Sequence, residues 1–484
     1  MVNEAILNPG VAGLILVVLS IVWVLLGWWW GRNANELEDY MLAGRSVGLA
    51  LGTATAMATW VTSNTTMVAP QLTYQLGIWG MLGYSLGAVG LFLFAPMAAR
   101  IRRLMPGGFT SGDFFRLRFG TTAWRVFLVI SLVYGGGWLI SLGMAGGILI
   151  QALSGIPYWI GMTVILGICV CYTLLGGLRA VIGTDFVQTI VIIAGIVVLG
   201  FLTIRYIGFD EIHDTLATDR PELLNFLMPA AIMFLFNNLL FGIGEIFHSN
   251  VWWSRAFAFG EGVGFKAYLI AGLFWTPIPI AAGFIALGAP ALGFNVPRAD
   301  MVGPLMAANL LGEAGAILVF IIVFSALASS LDSLLAATSD LIVEDIYHKH
   351  IRPDATPKQM RGAASRTILI LGFGTWLLCM LNLTTLGSLL HFTGAFVAST
   401  IWPIAAGLYW RKTNPTGATM AMVLGSLAGL SAYFIIGFYV AALVGAAVSM
   451  ATVLLTTLIR PAPFDWNLLR EEVEPADSPL AQTS

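Results

Sequence analysis

Apolar residues run along this chain in long stretches separated by short polar pieces, and thirteen of the stretches are long enough to cross a bilayer. They cover about 11–31, 47–74, 78–99, 126–153, 158–175, 183–206 and 227–250, then 267–287, 313–346, 367–383, 386–408, 417–436 and 440–458. A membrane helix needs about 20 mostly apolar residues. A transmembrane barrel would instead alternate polar and apolar residues in strands of about ten, and these runs are unbroken. The pattern predicts an all-α polytopic membrane protein. The first stretch has only Glu4 before it and is too long for a signal-peptide core, so it reads as a retained helix.

Composition agrees. Of 484 residues, 58% are hydrophobic and 10% charged, whereas a soluble chain carries about a quarter charged. That excludes a large soluble enzyme and a disordered chain. The formal net charge of -2 offers no field for nucleic acid. Cys169, Cys171 and Cys379 all fall within apolar stretches and read as small core residues rather than a disulfide or metal set.

Basic residues set the expected orientation. With the N-terminus outside, 20 of the 23 Lys and Arg fall on the cytoplasmic side, including Arg100, Arg102, Arg103, Arg116, Arg118, Arg125, Lys349, Arg352, Lys358, Arg361 and Arg366. Arg205, Arg220 and Arg298 fall outside. The positive-inside rule then predicts an external N-terminus and a cytoplasmic C-terminus in a cell membrane. Removing one span scrambles that asymmetry. No soluble domain is expected, and the acidic tail (Glu471, Glu472, Glu474, Asp477) reads as a solvated end.

Ionisable residues inside spans cost at least about 2.5–3.5 kcal/mol to insert and are functional candidates by default. Four stand out: Asp185, Glu245, Asp332 and His391. Asp185 lies near the start of span six, where a snorkelling carboxylate competes with a functional one. Glu245 lies in Phe-Gly-Ile-Gly-Glu-Ile-Phe, whose two glycines invite a helix break. His391, alone on an apolar helix, reads as a satisfied core residue. Span two is unusually polar: eight of the fourteen residues from Thr53 to Thr66 are Thr, Ser or Asn. Such side chains compete for backbone hydrogen bonds, so an unwound, solute-facing segment is expected there. In span nine, Ser329 and Ser330 and the Ala326 carbonyl one turn earlier offer neutral oxygens suited to sodium. Spans two and seven each open a run of five spans, and the two runs have opposite orientation. Paired interrupted helices in inverted halves point to a transporter's midplane site.

Gly176–Gln188 (Gly-Gly-Leu-Arg-Ala-Val-Ile-Gly-Thr-Asp-Phe-Val-Gln) and Ser329–Tyr347 (Ser-Ser-Leu-Asp-Ser-Leu-Leu-Ala-Ala-Thr-Ser-Asp-Leu-Ile-Val-Glu-Asp-Ile-Tyr) resemble the two signatures of the sodium:solute symporter family. The resemblance implies a five-plus-five inverted-repeat core with broken helices in spans two and seven. It implies a sodium site on backbone oxygens of Ala58, Val61 and Ala326 and hydroxyls of Ser329 and Ser330, with Asp185 assisting cation coupling. It also implies solute contacts at Trp60, Asn64, Thr65, Gly242 and Glu245. Glu245 stands where sugar-transporting relatives carry a gating aromatic, which weighs against a sugar. Thr59-Trp60, Tyr74-Gln75-Leu76-Gly77 and Trp252-Trp253-Ser254-Arg255-Ala256 resemble the urea symporter branch. Leu331-Asp332-Ser333 keeps the general sodium-symporter form.

The expected organisation is a leading helix and linker (1–46), two core halves (47–207 and 208–410), two trailing helices (411–460) and a cytoplasmic tail (461–484). The expected function is sodium-coupled import of a small polar solute, urea first, by alternating access, with no cofactor other than the coupling sodium. A monocarboxylate or amino acid, a proton-coupled urea symporter, and a symporter-like sensor or channel are the alternatives. No nucleophile–base pair or metal cluster in the spans suggests an enzyme.

Overall fold

The computed structural model describes residues 6–471 apart from 33, 35, 207, 295 and 383, so most of the acidic tail lies outside the described residues. Among the described residues the architecture is helical, with one isolated bridge between Val47 and Phe259. Eleven helices are individually long and apolar enough to span a membrane. The expectation of thirteen crossings differs for two reasons of continuity. Span two is cut into α2 (Leu49–Trp60) and α3 (Ser63–Leu76), after the leading helix α1 (Pro9–Gly31). Spans five and six fuse into one helical run. That run, α5 (Tyr158–Tyr206), follows α4 (Thr121–Ser154) and has 49 residues. A straight helix of that length would reach about 74 Å, against a hydrocarbon core of about 30 Å. The chain turns at Gly177, at φ 54° and ψ −146°, a conformation favoured by glycine.

Span seven is also in two pieces, α6 (Pro229–His248) and α7 (Asn250–Ala258), followed by α8 (Val263–Trp275). The interruption falls at Ser249, not at the glycines. Gly242 and Gly244 are helical because their missing side chains admit other backbones. A Cβ on Gly242 would strike the Gly87 main chain, and one on Gly244 would strike that of Val397. These glycines serve close helix approach. Ser249 instead adopts extended angles and caps α7 by accepting from the Val251 N–H at 3.3 Å.

The two broken helices run antiparallel. Val47, just before α2, donates to the Ala258 carbonyl at the end of α7 (3.1 Å) and accepts from Gly260 (3.0 Å). The start of one broken helix is thus tied to the end of the other, as an inverted repeat requires. Helix α9 (Val302–Ile342) turns at Gly312 (φ 64°) and then passes both α2 and α5. Helix α10 (Leu386–Tyr409) packs against α6 and α4, and Pro415–Ile435 and Ala441–Ile459 close the bundle.

Large apolar side chains remain exposed around the circumference, among them Leu14, Ile21, Val197, Phe201, Ile370, Phe373, Leu427 and Leu458. A belt this wide would be insoluble in water and fits lipid. Cys169 and Cys379 are buried as expected, but Cys171 is exposed. Two residues along a helix is a rotation of about 200°, so Cys169 and Cys171 cannot share the inner face. At the end of the bundle that carries the Val47 bridge, Asp113 pairs with Lys349, which also meets Asp345 at 3.2 Å. Burial alone would raise the Asp113 carboxyl. The Lys349 ammonium and the Phe109 and Thr110 amides outweigh it and hold the group below its ordinary value.

Candidate functional site

The interruption of α2 is short. Only Val61 (φ −83°, ψ 81°) and Thr62 (φ −88°, ψ 167°) leave the helix. Most of the Thr62–Thr66 run is therefore the capped first turn of α3 rather than an unwound strip. Thr62 Oγ1 accepts from the Thr65 N–H at 3.0 Å, and Thr65 Oγ1 accepts from the Thr62 N–H at 3.2 Å. This reciprocal cap lets the chain restart immediately inside the membrane.

The ended helix leaves its last carbonyls without the usual partners. Thr59 O accepts from Ser330 Oγ at 3.3 Å, and Trp60 O accepts from the Trp275 indole N–H at 2.7 Å. Among the described residues no backbone or side-chain donor reaches the carbonyls of Ala58 or Val61. Ser330 Oγ also lies 3.0 Å from the Ala326 carbonyl it donates to. The break thus gathers oxygens from α2 and α9, and Ala58, Val61, Ala326, Ser329 and Ser330 are all buried there.

Asp185 sits beside this point with no exposed surface, so it neither snorkels nor caps a helix end. Ser329 Oγ and Thr55 Oγ1 each donate to it at 2.6 Å. The Arg255 guanidinium on α7 reaches it at 3.3 Å and is equally buried. Arg255 also donates to Thr59 Oγ1 (2.6 Å), Ser333 Oγ (2.8 Å), Thr55 Oγ1 (3.0 Å) and the Val251 carbonyl (3.1 Å). One cation therefore ties α2, α5, α7 and α9 together. Asp332, one position from Ser333, is fully buried; among the described residues its carboxyl has no partner within ordinary hydrogen-bond distance, and Tyr172, the Ser333 amide, Asp185 and Arg255 are its neighbours. His391 is satisfied as expected, by the Gly387 carbonyl at 2.7 Å and Asn238 at 3.3 Å.

On the other side of the break lies a narrow cavity of about 10 Å³, lined by Trp60, Thr65, Trp138, Asn238, Gly242 and Trp275, among others. Among the described residues no charged side chain lines it. Trp60 is its aromatic centre. It is stacked nearly parallel to Trp138 (centroids 6.0 Å, 8°), stacked on Trp275 (5.5 Å, 29°) and edge-on to Trp252 (5.6 Å, 86°).

Of the five expected solute contacts, the structure brings Trp60, Thr65 and Gly242 to this cavity and sets Asn64 and Glu245 outside its wall. Asn64 Oδ1 accepts from Ser141 at 3.1 Å, and its amide nitrogen is buried without a partner. Glu245 lies behind Trp252, whose indole N–H donates to it at 3.2 and 3.3 Å, while Tyr134 donates at 2.6 Å. The carboxylate fixes the Trp252 ring, which in turn touches Trp60.

Sequence reasoning missed three participants: Arg255, Trp252 and Tyr134. Arg255 was counted among the cytoplasmic basic residues because span seven was ended near residue 250, whereas α7 continues to Ala258. The signal was there in Trp252-Trp253-Ser254-Arg255-Ala256-Phe257, an arginine flanked by aromatic residues. A phenol alone in an apolar span, Tyr134, was a weaker pointer to a buried acceptor.

A family model for the sodium:solute symporter family matches residues 40–425. The chain is similar to the rice (Oryza sativa subsp. japonica) urea-proton symporter DUR3, at 29% identity over 92% of this chain and 70% of that longer protein. It is also similar to the osmoregulated proline transporter OpuE of Bacillus subtilis, at 26% identity over 90% of this chain and 94% of that one. A Na+-coupled sialic acid symporter solved in a substrate-bound outward-open state shares the fold, with a TM-score of 0.78 at 16% identity, covering 94% of this chain and 99% of that one. These relatives are transporters of several solutes, and the family match runs through both broken helices and the whole of α9. The chain is therefore a multi-pass membrane protein that belongs to the sodium:solute symporter family.

Proposed function

We propose that the chain is a sodium-coupled symporter that imports urea by alternating access. The observation that carries this reading is the break of α2, where released carbonyls and the hydroxyls of Ser329 and Ser330 gather beside a small cavity without charged walls. Sodium would take the oxygens of Ala58, Val61, Ala326, Ser329 and Ser330. Asp185 would sense it through Ser329, which it already holds at 2.6 Å. Sodium binding across α2 and α9 would stabilise the outward-open state, and the two ligands would favour each other by about 1–3 kcal/mol, reciprocally.

The lining described for this cavity, which is uncharged, supports a neutral solute. A carboxylate or a zwitterion buried here would need an opposite charge or leave its own unpaired. The near cation, Arg255, is committed to Asp185. A neutral amide such as urea needs only donors, acceptors and flat apolar walls, which Asn238, Thr65 and the tryptophans provide. In this reading Glu245 acts at one remove, by fixing Trp252, and Asn64 lines the path rather than the pocket. The halves 47–207 and 208–410 would rock about this point, with the N-terminus outside.

Ser329→Ala with Ser330→Ala tests the cation assignment. Sodium-stimulated uptake should fall at least tenfold while the protein still reaches the membrane. Uptake with unchanged sodium dependence would overturn it.

A further inference from the structure

A second cavity, of about 300 Å³, opens at the end of α1, between the start of α2 and the second half of α5. It has no part in the path described above. Its walls combine the groups found where a membrane protein meets phospholipid headgroups. Trp29, half-exposed, and Trp30 supply an interfacial aromatic pair (centroids 5.1 Å, 82°). Arg32 and Arg179 supply two guanidinium groups, and Ser46 supplies an exposed hydroxyl.

The charges leave a surplus of one. Arg179 is paired with Asp39 at 2.9 Å, which uses one of its donors. Among the described residues no carboxylate lies within ion-pair distance of Arg32, whose guanidinium rests 5.6 Å from the Trp29 ring centroid. The other charged pair nearby, Arg45 with Glu38, belongs to the opposite side of the loop. There Arg45 bonds the carbonyls of Pro106, Gly107 and Gly108. One uncompensated positive charge matches one phosphodiester. Below the polar rim, Leu49, Phe186 and Ile190 are exposed apolar residues that continue the lipid-facing surface, where acyl chains would lie.

We propose that this cavity binds the headgroup of one anionic phospholipid. Arg32 and Arg179 hold the phosphate, the Trp29–Trp30 pair sits at glycerol depth, and the acyl chains run along α5. The headgroup spans α1, α2 and α5. It thereby joins the leading helix to a wall whose floor, Ile182 and Gly183, lies within one helical turn of Asp185. Basic pockets between membrane helices are known to take such headgroups.

The experiment is native mass spectrometry of the full chain in nonionic detergent, with added phosphatidylglycerol, phosphatidylcholine, or inorganic phosphate as competitor. The wild type should retain one phosphatidylglycerol at least tenfold more tightly than phosphatidylcholine, and millimolar phosphate should not displace it. Arg32→Gln should remove that preference. Gly48→Asp should do so too: nothing lies near the added Cβ, and Asp is a favourable residue at the head of α2, so folding is preserved while a negative charge enters the cavity. Equal retention of the two lipids would overturn the proposal, as would wild-type phosphatidylglycerol binding by both variants. Displacement by phosphate would assign the cavity to a soluble anion instead and overturn the lipid.

Discussion

Arg255→Met is the sharpest single perturbation of the site. Arg255 and Asp185 are both without exposed surface and 3.3 Å apart, and Arg255 makes four further hydrogen bonds to α2, α7 and α9. Removing one partner of a buried ion pair leaves an uncompensated charge and costs about 3–5 kcal/mol. Asp185 keeps the Thr55 and Ser329 hydroxyls, each at 2.6 Å, so the loss should sit at the lower end of that range. Asp185→Asn strands Arg255 in the same way. The double variant strands neither, and its cost should be smaller than the sum of the singles by about 1–3 kcal/mol. The assay is denaturant or thermal unfolding of detergent-solubilised protein for the wild type, both singles and the double. The result that would refute the reasoning is additivity, with the double variant destabilised by the sum of the two singles. A single variant as stable as wild type would refute it equally.

Two further outcomes are expected. Tyr134→Phe removes the 2.6 Å hydrogen bond to the buried Glu245 side chain; such a bond contributes about 0.5–1.5 kcal/mol net. Because Glu245 acts through Trp252, solute KM should rise about tenfold while sodium affinity is kept, and uptake kinetics with unchanged KM would count against that linkage. For Asp113 the folded carboxyl lies below its ordinary 3.8. Its stabilisation is therefore complete above that value and fades as pH falls through the folded pKa. Asp113→Asn should melt below wild type at pH 7, with the gap closing towards pH 3. A gap independent of pH would contradict the Lys349 pairing.

The legible parts of the sequence were those where a local pattern has one physical consequence. Consecutive polar residues around Thr62 marked the α2–α3 break, because a hydroxyl-rich turn inside lipid needs a cap or a cavity. Ser329, Ser330 and Asp185 were legible as oxygens with no reason to be in an apolar span, and the fold brings Ser329 onto Asp185. What could not be read was tertiary. Gly242 and Gly244 looked like helix breakers, yet close approach by Gly87 and Val397 keeps them helical and moves the break to Ser249. Arg255 passed for a loop cation because charge counting along a chain cannot see a half-helix turned back into the core. Glu245 reads as a solute contact, yet it lies behind Trp252, because Tyr134 on α4, more than a hundred residues away in sequence, holds its carboxyl there.

The most direct measurement is radiolabelled urea uptake into proteoliposomes holding the purified full chain, with an inward sodium gradient or an inward proton gradient imposed separately. The account expects accumulation above the external concentration with the sodium gradient, collapse on adding a sodium ionophore, and no accumulation with the proton gradient alone. Urea that only equilibrates, or accumulates on protons without sodium, would contradict it.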